Sequence, residues 1–434
     1  MNPSDVVYNR FIAPLNKKEK GNIGVELEFP LINLEKRPVD KNFALGFMYE
    51  LLNNGFTVED YDKDGNPAFV VNSDGDVISY DNSYNNIEFS MKYCDDLIAI
   101  KDRFYALHNF ATDYFKKQNY IIAGMGTNLY KQYTEVSHVN YPVYNMVQKF
   151  LHVNNCDKTH DYPDFPAYLS SVQTHLDIDA PNVPVVADLF SKIDFACAYI
   201  FSNSLSFDDT DYLCMRDFLW HKSAFGLLYG HTGLPDADYV NLDGLEDSYL
   251  EKFMFNRIRN GQYELISPVT IREYFESPDN DKEDICQYLS FRNIEVTARG
   301  TVEVRSSCTQ PLRDAFAPPA FYLGLSNNLE CAIGITDGFF NSFDLPYTNW
   351  ELRQFAVKGI VPPELDTQEL KRFIVSLVEV SKKGLSSRQK GEETLIDCLF
   401  ERANNLSCPA LVVKERLEKG DTLENIIKDY SKII

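Results

Sequence analysis

Residues 23–31, IGVELEFPL, alternate apolar and acidic side chains, the period of a half-buried strand. Residues 40–55 place apolar side chains at helical spacing and stop at Asn54-Gly55. Residues 60–90 read as strands joined by turns at Asp64-Gly65 and Asp74-Gly75. A helical period returns in residues 94–118, which finish on a basic end. Residues 172–178 alternate again, 184–202 predict a long helix, and 293–305 (NIEVTARGTVEVR) predict one or two strands. A helix is expected within 312–336, after Pro318-Pro319. From Pro362-Pro363 the spacing is helical to the end, with heptad-like positions through 370–380. That proline pair marks the expected boundary between a catalytic domain, residues 1–361, and a C-terminal helical segment, residues 362–434, packed on it.

Side chains two apart along a strand leave the same face, about 6.5–7 Å from each other. Val25, Leu27 and Phe29 therefore face one way, and Glu26 and Glu28 the other. Glu88 stands opposite its apolar neighbours Ile87 and Phe89. Gln173, His175 and Asp177 share a face, as do Arg299, Glu303 and Arg305. One sheet built from these strands would have a polar face of carboxylates mixed with two arginines. The alternation alone also suits a sheet with one face in water. Glutamate is depleted in strands, however, and like charges opposed across strands repel. A cation would turn that repulsion into attraction. Carboxylates at this density suit Mg²⁺ shared with nucleotide phosphates, and arginines meet phosphoryl oxygens bidentately. The pattern points to phosphoryl transfer from a nucleotide.

The chain has 434 residues, 44% of them hydrophobic, enough for one large core or two smaller ones. Its formal net charge of −22 disfavours nucleic acid and anionic membranes as partners and leaves small molecules. The longest apolar runs, such as 195–201, fall far short of the ~20 residues that span a bilayer. The first twenty residues lack an apolar core of signal-peptide length. Nine single cysteines with no C-x-x-C pair suit reduced thiols, and a cytoplasmic location is the expectation. Residues 60–65, DYDKDG, begin like an EF-hand loop, but position twelve is Val71 where a bidentate Glu is needed, so they read as a hairpin turn. Gly124-Met125-Gly126 lacks the third glycine of a dinucleotide fingerprint, and no histidine pair has the spacing of a zinc hydrolase. Cys308 reads as a small core residue, and Trp220 as packing or as a wall of the substrate site.

Six segments, in order from about residue 21 to the end, resemble the glutamate–cysteine ligases of the plant-type and actinobacterial branch. Gly24-Val25-Glu26-Leu27-Glu28 resembles that family's G-x-E-x-E strand. Ile78-Ser79-Tyr80-Asp81 followed by Ile87-Glu88-Phe89-Ser90 is similar to its I-S-L-E…F-E-L-S hairpin, with a slightly longer turn. Residues 171–177 resemble S-V-Q-x-x-L-D, and residues 216–220 match R-x-x-x-W. Residues 299–305 are similar to R-G-x-L-E-V-R, the most specific of the set. Gly384-Leu385, Arg388, Glu392 and Glu393 resemble the helical G-L-x-x-R…E-E pattern. Three positions depart from the family: His175 stands where plant relatives have Asn, residues 140–146 (NYPVYNM) lack an arginine, and residues 306–309 (SSCT) replace a glycine/alanine–aspartate run.

The resemblance implies an α+β fold, a curved and mainly antiparallel sheet of the glutamine synthetase and glutamate–cysteine ligase type with helices packed outside. It implies ATP and Mg²⁺ as cofactors and amide formation through an acyl phosphate, with γ-glutamylcysteine and glutathione biosynthesis as the expected product and pathway. Carried over residue by residue, Glu26, Glu28, Asp81, Glu88 and Glu303 are expected to bind metal. Gln173, His175, Arg299 and Arg305 are expected at the nucleotide, the two arginines in the catalytic role, and Arg216 and Trp220 at the substrate. A ligase for another acid and amine, a non-catalytic ligand-binding homologue and a guanidino phosphotransferase are the competing readings.

Overall fold

The alternation of residues 23–33 becomes the central strand of a nine-stranded sheet. The computed structural model describes residues 2–16, 21–130, 136–205, 211–234 and 241–433. In chain order the strands are β1 (Ile23–Asn33), β2 (Thr57–Tyr61), β3 (Pro67–Val71), β4 (Val77–Tyr80), β5 (Asn86–Cys94), β6 (Tyr120–Ile122) and β7 (Ser171–Leu176). There follow β8 (Thr232–Gly233), β9 (Phe253–Arg259), β10 (Gln262–Thr270), β11 (Phe291–Arg292), β12 (Ile294–Val296) and β13 (Val302–Cys308). The large sheet runs β12-β13-β7-β1-β5-β4-β3-β2, with β6 on the far end of β1, and its pairings are antiparallel. β9 and β10 form a separate hairpin, and β8 and β11 a short parallel pair.

Helices cover one face of this sheet. Lys41–Asn53 lies on β3, Leu97–Phe115 on β5, Ala317–Ser326 on β7 and Val183–Phe201 on β13. Register follows from what that face must bury. Leu27 pairs with Phe89 and Phe29 with Ile87, all fully buried. Phe104 of the covering helix stacks on Phe29 at 5.7 Å and meets Phe89 edge-on at 5.4 Å. Burying such aromatics is worth several kcal/mol each, and a one-residue slip would turn them to the other face. Among the described residues no helix is long and apolar enough to cross a membrane.

The helix Thr367–Ser387 places Leu370, Phe373, Ile374, Leu377 and Val378 on its inner face, against Ala317–Ser326 and Leu329–Ser342. Two glycines allow the crossing: a Cβ on Gly384 would meet the Gly324 carbonyl oxygen at 2.0 Å. Glu392 is fully buried, takes the Arg388 guanidinium at 2.6 Å and accepts the backbone N–H of Leu97 at 2.9 Å. It thus caps the helix that covers β5 with a paired charge. The segment resembling G-L-x-x-R…E-E is therefore tied into the scaffold.

Three differences from the sequence reading have local causes. Pro318 and Pro319 sit inside the first turn of their helix, where a missing N–H leaves no bond unmade. Residues 293–305 divide into β12 and β13 around a turn in which Gly300 takes φ +76°, and any Cβ there would lie 2.4 Å from the Pro14 carbonyl oxygen. Arg299 consequently sits in the turn and does not share a strand face with Glu303 and Arg305. The β9–β10 hairpin has no counterpart in the sequence reading, because β10 is half exposed and has no clean apolar alternation. Gly384→Ala is expected to destabilise the protein by about 1–3 kcal/mol through overpacking, read from the urea midpoint; an unchanged midpoint would refute the close helix crossing.

Candidate active site

Opposite the helices, the strand register assembles the acidic residues. Glu28 pairs directly with Glu88, Glu26 with Gln173 and Ser90, and Glu303 with His175. Directly paired residues of antiparallel strands share a face, so these side chains converge on the uncovered side of the sheet. Asp81 follows β4 at the start of the turn into β5, where its N–H donates to the Asn86 carbonyl.

Each acid has partners. Glu28 is 5% exposed and accepts from the Ser171 N–H at 2.7 Å, the Ser171 hydroxyl at 3.1 Å and Gln173 Nε2 at 2.6 Å. Glu88 takes the hydroxyl of Ser90, and Asp81 takes Asn82 Nδ2 at 2.9 Å. Glu26 Oε1 lies 3.1 Å from Arg299 and 3.3 Å from His175 Nε2. Glu303 Oε1 lies 2.5 Å from Arg305 and 3.8 Å from the same imidazole nitrogen. One ligand atom each from Glu26, His175 and Glu303 falls within 4.8 Å of the others, close enough for one metal ion. Carboxylate oxygens suit Mg²⁺, whereas imidazole suits zinc, copper, iron and nickel. His175, expected at the nucleotide, is therefore placed among the acids.

The charges do not balance evenly. Burial would raise the Glu26 pKa, but the charges of His175, Arg299 and Arg305 outweigh it and hold the carboxyl far below its usual range. His175 is correspondingly raised: Glu303 and Glu26 overcome the effect of burial. Burial and the nearby Asp81 push Glu28 up to about 7, and burial pushes Asp81 up to about 6. Glu88 is raised well above its ordinary value by burial and by the charges of Glu26 and Asp81. This half of the cluster is short of positive charge, the condition a bound cation relieves. Gln173 Oε1 is buried with no hydrogen-bond partner among the described residues, a further oxygen aimed into the cluster.

Two cavities meet at the acids. A cavity of about 800 Å³ is lined by Glu26, Glu88, His175, Arg299, Met91 and Tyr93. A smaller one of about 170 Å³ also touches Glu26 and Glu88, together with Glu28, Asp81, Arg216 and Arg305. Arg216 is 8% exposed, and its guanidinium makes no ion pair among the described residues. Trp220 stacks on Phe291 at 3.8 Å, and the pair walls the small cavity. The helix bearing Arg216 and Trp220 is fixed from behind by Arg353, which is 1% exposed and bonds Asp217 at 2.5 Å and Asp194 at 2.8 Å. Cys308 is fully buried between Ser204 and Cys214.

Of the residues expected at the site, Glu26, Glu28, Asp81, Glu88, Arg216, Trp220 and Arg305 all line the small cavity, together with Gln173, and Arg299 and His175 line the large one. Glu303 joins through His175 and Arg305. Sequence reasoning missed Ser171, Tyr144 and Phe291. Ser171 was within reach of it, two residues before Gln173 on the same face. Tyr144, which hydrogen-bonds Asp81, and Phe291 come from segments with no strand-like pattern.

No family description and no curated sequence matches the chain. Among solved structures it is similar to glutamate–cysteine ligase from Francisella tularensis in complex with AMP, at 12% identity and a TM-score of 0.41 over 95% of this chain and 98% of that one. It is similar to a bifunctional glutathione synthetase from Pasteurella multocida, at 11% identity and a TM-score of 0.43, over 99% of this chain and 53% of that one. A third likeness is to the complex of the prokaryotic ubiquitin-like protein Pup and its ligase PafA, at 9% identity and a TM-score of 0.42, over 99% and 75%.

Raised carboxyl pKa values mean that the metal-free fold holds protons the unfolded chain releases. Stability is then full below the ordinary carboxyl range and is lost as pH rises through about 6 and 7, where Asp81 and Glu28 ionise. In chelator, the melting temperature is expected to fall between pH 5 and pH 8, and Glu28→Gln is expected to flatten that slope. A slope identical in the variant would remove Glu28 from the account.

Proposed function

We propose that the chain is an ATP- and Mg²⁺-dependent carboxylate–amine ligase, joining the γ-carboxylate of glutamate to the amine of cysteine to give γ-glutamylcysteine for glutathione biosynthesis. The observation that carries this reading is the shared acidic wall. Glu26 and Glu88 separate a cavity large enough for a nucleotide from a small one in which buried Arg216 makes no ion pair among the described residues. Transfer of a phosphoryl group from nucleotide to carboxylate needs both substrates on opposite sides of one charged centre.

Glu26 and Glu303 would hold one ion beside His175, and Glu28, Asp81 and Glu88 would supply the remaining carboxylates. Mg²⁺ bound there would neutralise the triphosphate and polarise the transferred phosphoryl group. Arg299, whose side chain is exposed beyond Glu26, reaches toward the large cavity and its phosphates. Arg305 lines the small cavity beside Glu303 and stabilises charge developing on the transferred group. Arg216 receives the acid's second carboxylate, and the Trp220–Phe291 stack orients its methylene chain while excluding water. The amine then attacks the acyl phosphate and expels phosphate, with no covalent enzyme intermediate.

Phosphate release from ATP is expected with glutamate and cysteine together and not with either alone. A panel of other acids and amines tests the pair; turnover of another pair alone would replace the substrates and leave the ligase reading standing. Glu303→Gln is expected to abolish turnover. Arg305→Lys keeps the charge but loses the planar fork, and kcat is expected to fall at least tenfold with little change in KM for ATP. Arg216→Ala is expected to raise KM for the acid at least tenfold and leave KM for ATP alone. Wild-type kcat in Arg305→Lys, or an unchanged acid KM in Arg216→Ala, contradicts the role given to that residue.

A further inference from the structure

The small cavity takes its two arginines from different segments, Arg216 from the helix Met215–His221 and Arg305 from β13. The residues that follow them, Asp217 and Ser306, are both held by one side chain. Arg353, on the helix Asn349–Ala356, meets the Asp217 carboxylate with two prongs, Nε to Oδ2 at 2.5 Å and Nη2 to Oδ1 at 3.2 Å. The same Nη2 donates to the Ser306 carbonyl at 3.1 Å. Nη1 donates to the Asp194 carbonyl at 2.8 Å and lies 2.8 Å from that residue's carboxylate.

A bulge in β13 brings the Ser306 carbonyl into this set. Val304 pairs with Thr174 and Ser307 with Val172, so Arg305 and Ser306 together oppose Gln173 alone. Such a bulge interrupts the ladder and re-aims the side chain beside it, here that of Arg305. The Arg305 N–H donates to the Asn293 carbonyl at 2.8 Å, and Asn293 Nδ2 donates to the Asp194 carboxylate at 2.8 Å. Both sides of the bulge therefore lead back to the Arg353 cluster. Arg353, Asp194 and Asp217 are 1%, 0% and 4% exposed, and none of them lines either cavity at the acids. A buried ion cluster adds little net stability, because desolvation offsets its attraction. What a planar guanidinium supplies is direction, since few orientations satisfy several acceptors at once.

We propose that Arg353 is a positioning residue of the acid site: it sets Arg216 relative to Arg305 and through them the affinity for the carboxylate substrate. This rests on the ligase reading, in which Arg216 takes the acid's second carboxylate and Arg305 meets the transferred phosphoryl group. A misplacement of about 1 Å is enough to lose a well-oriented contact of this kind. Lysine at position 353 keeps the charge but not the fork that reaches Asp217, Asp194 and the Ser306 carbonyl together.

Wild-type protein, Arg353→Lys, Arg216→Ala and the double variant are assayed for phosphate release from ATP with glutamate and cysteine. Glutamate binding is measured separately by calorimetry with Mg²⁺ and a non-hydrolysable ATP analogue, and circular dichroism at the assay temperature checks that each variant is folded. Arg353→Lys is expected to raise KM and Kd for glutamate at least tenfold, with KM for ATP within twofold of wild type. Lost stability alone would lower the active fraction, and with it kcat, without moving KM. Because Arg353 acts through Arg216, adding Arg353→Lys to Arg216→Ala is expected to change KM for glutamate less than twofold. Where Arg353→Lys fails to fold, Asp217→Asn, which keeps the side chain's shape, decides the matter, with a rise of at least threefold in KM for glutamate expected. An unchanged glutamate KM in a folded variant, parallel rises for glutamate and ATP, or a further tenfold rise on top of Arg216→Ala overturns the proposal. Wild-type protein that neither binds nor turns over glutamate overturns the substrate reading and this inference with it. Wild-type turnover with an unmoved glutamate KM in the variant overturns this inference alone.

Discussion

Glu28 and Glu88 stand directly opposite one another across β1 and β5, and much of the site follows from that pairing. The register that puts Phe29 beside Ile87 and Leu27 beside Phe89 under the covering helix leaves the glutamates the opposite face. Like charges directly opposed across strands repel, and the raised pKa values of both glutamates register that cost together with burial. The apolar face outweighs this, because each aromatic buried there contributes a comparable amount and several act together. The fold thus holds an electrostatically unfavourable cluster in place by packing on the other side of the same strands.

Neutralisation of the cluster is uneven, and the unevenness organises the chemistry. Glu26 and Glu303 are tied to His175, Arg299 and Arg305, while Glu28, Asp81 and Glu88 depend on neutral donors such as Ser171, Gln173 and Asn82. Glu26 is held far below the usual carboxyl range, whereas burial raises Glu28, Asp81 and Glu88 above it. Arg216 lines the small cavity with Glu28 and Asp81, and its charge partly offsets the burial of Glu28. Arg353 holds Asp217, the next residue of the same helix, from behind.

The stacked Trp220 and Phe291 wall the small cavity. These two residues come from the helix Met215–His221 and from β11, a strand of two residues that pairs with β8. Such a short pair is held mainly by what packs on it, so the wall is the part of the site least tied to the large sheet.

The sequence by itself determined which residues could be acids on one face of a strand. Period-two alternation is a local property, and it fixed Glu26, Glu28, Glu88, Gln173 and Glu303 before any neighbour was known. Arg216 came from the family resemblance, while periodicity also marked Arg305 and the helices whose apolar positions recur at 3.6 residues. It misplaced Arg299, because a left-handed glycine turn interrupts the strand and no alternation reports that. Only the tertiary structure decided which strands lie side by side. That set the Glu28–Glu88 and Glu303–His175 pairs and placed the imidazole among the acids. Tyr144, Phe291 and Arg353 lay outside sequence reasoning for the same reason: their partners are far away in the chain, and contact between distant segments is chosen by packing, which no local period records.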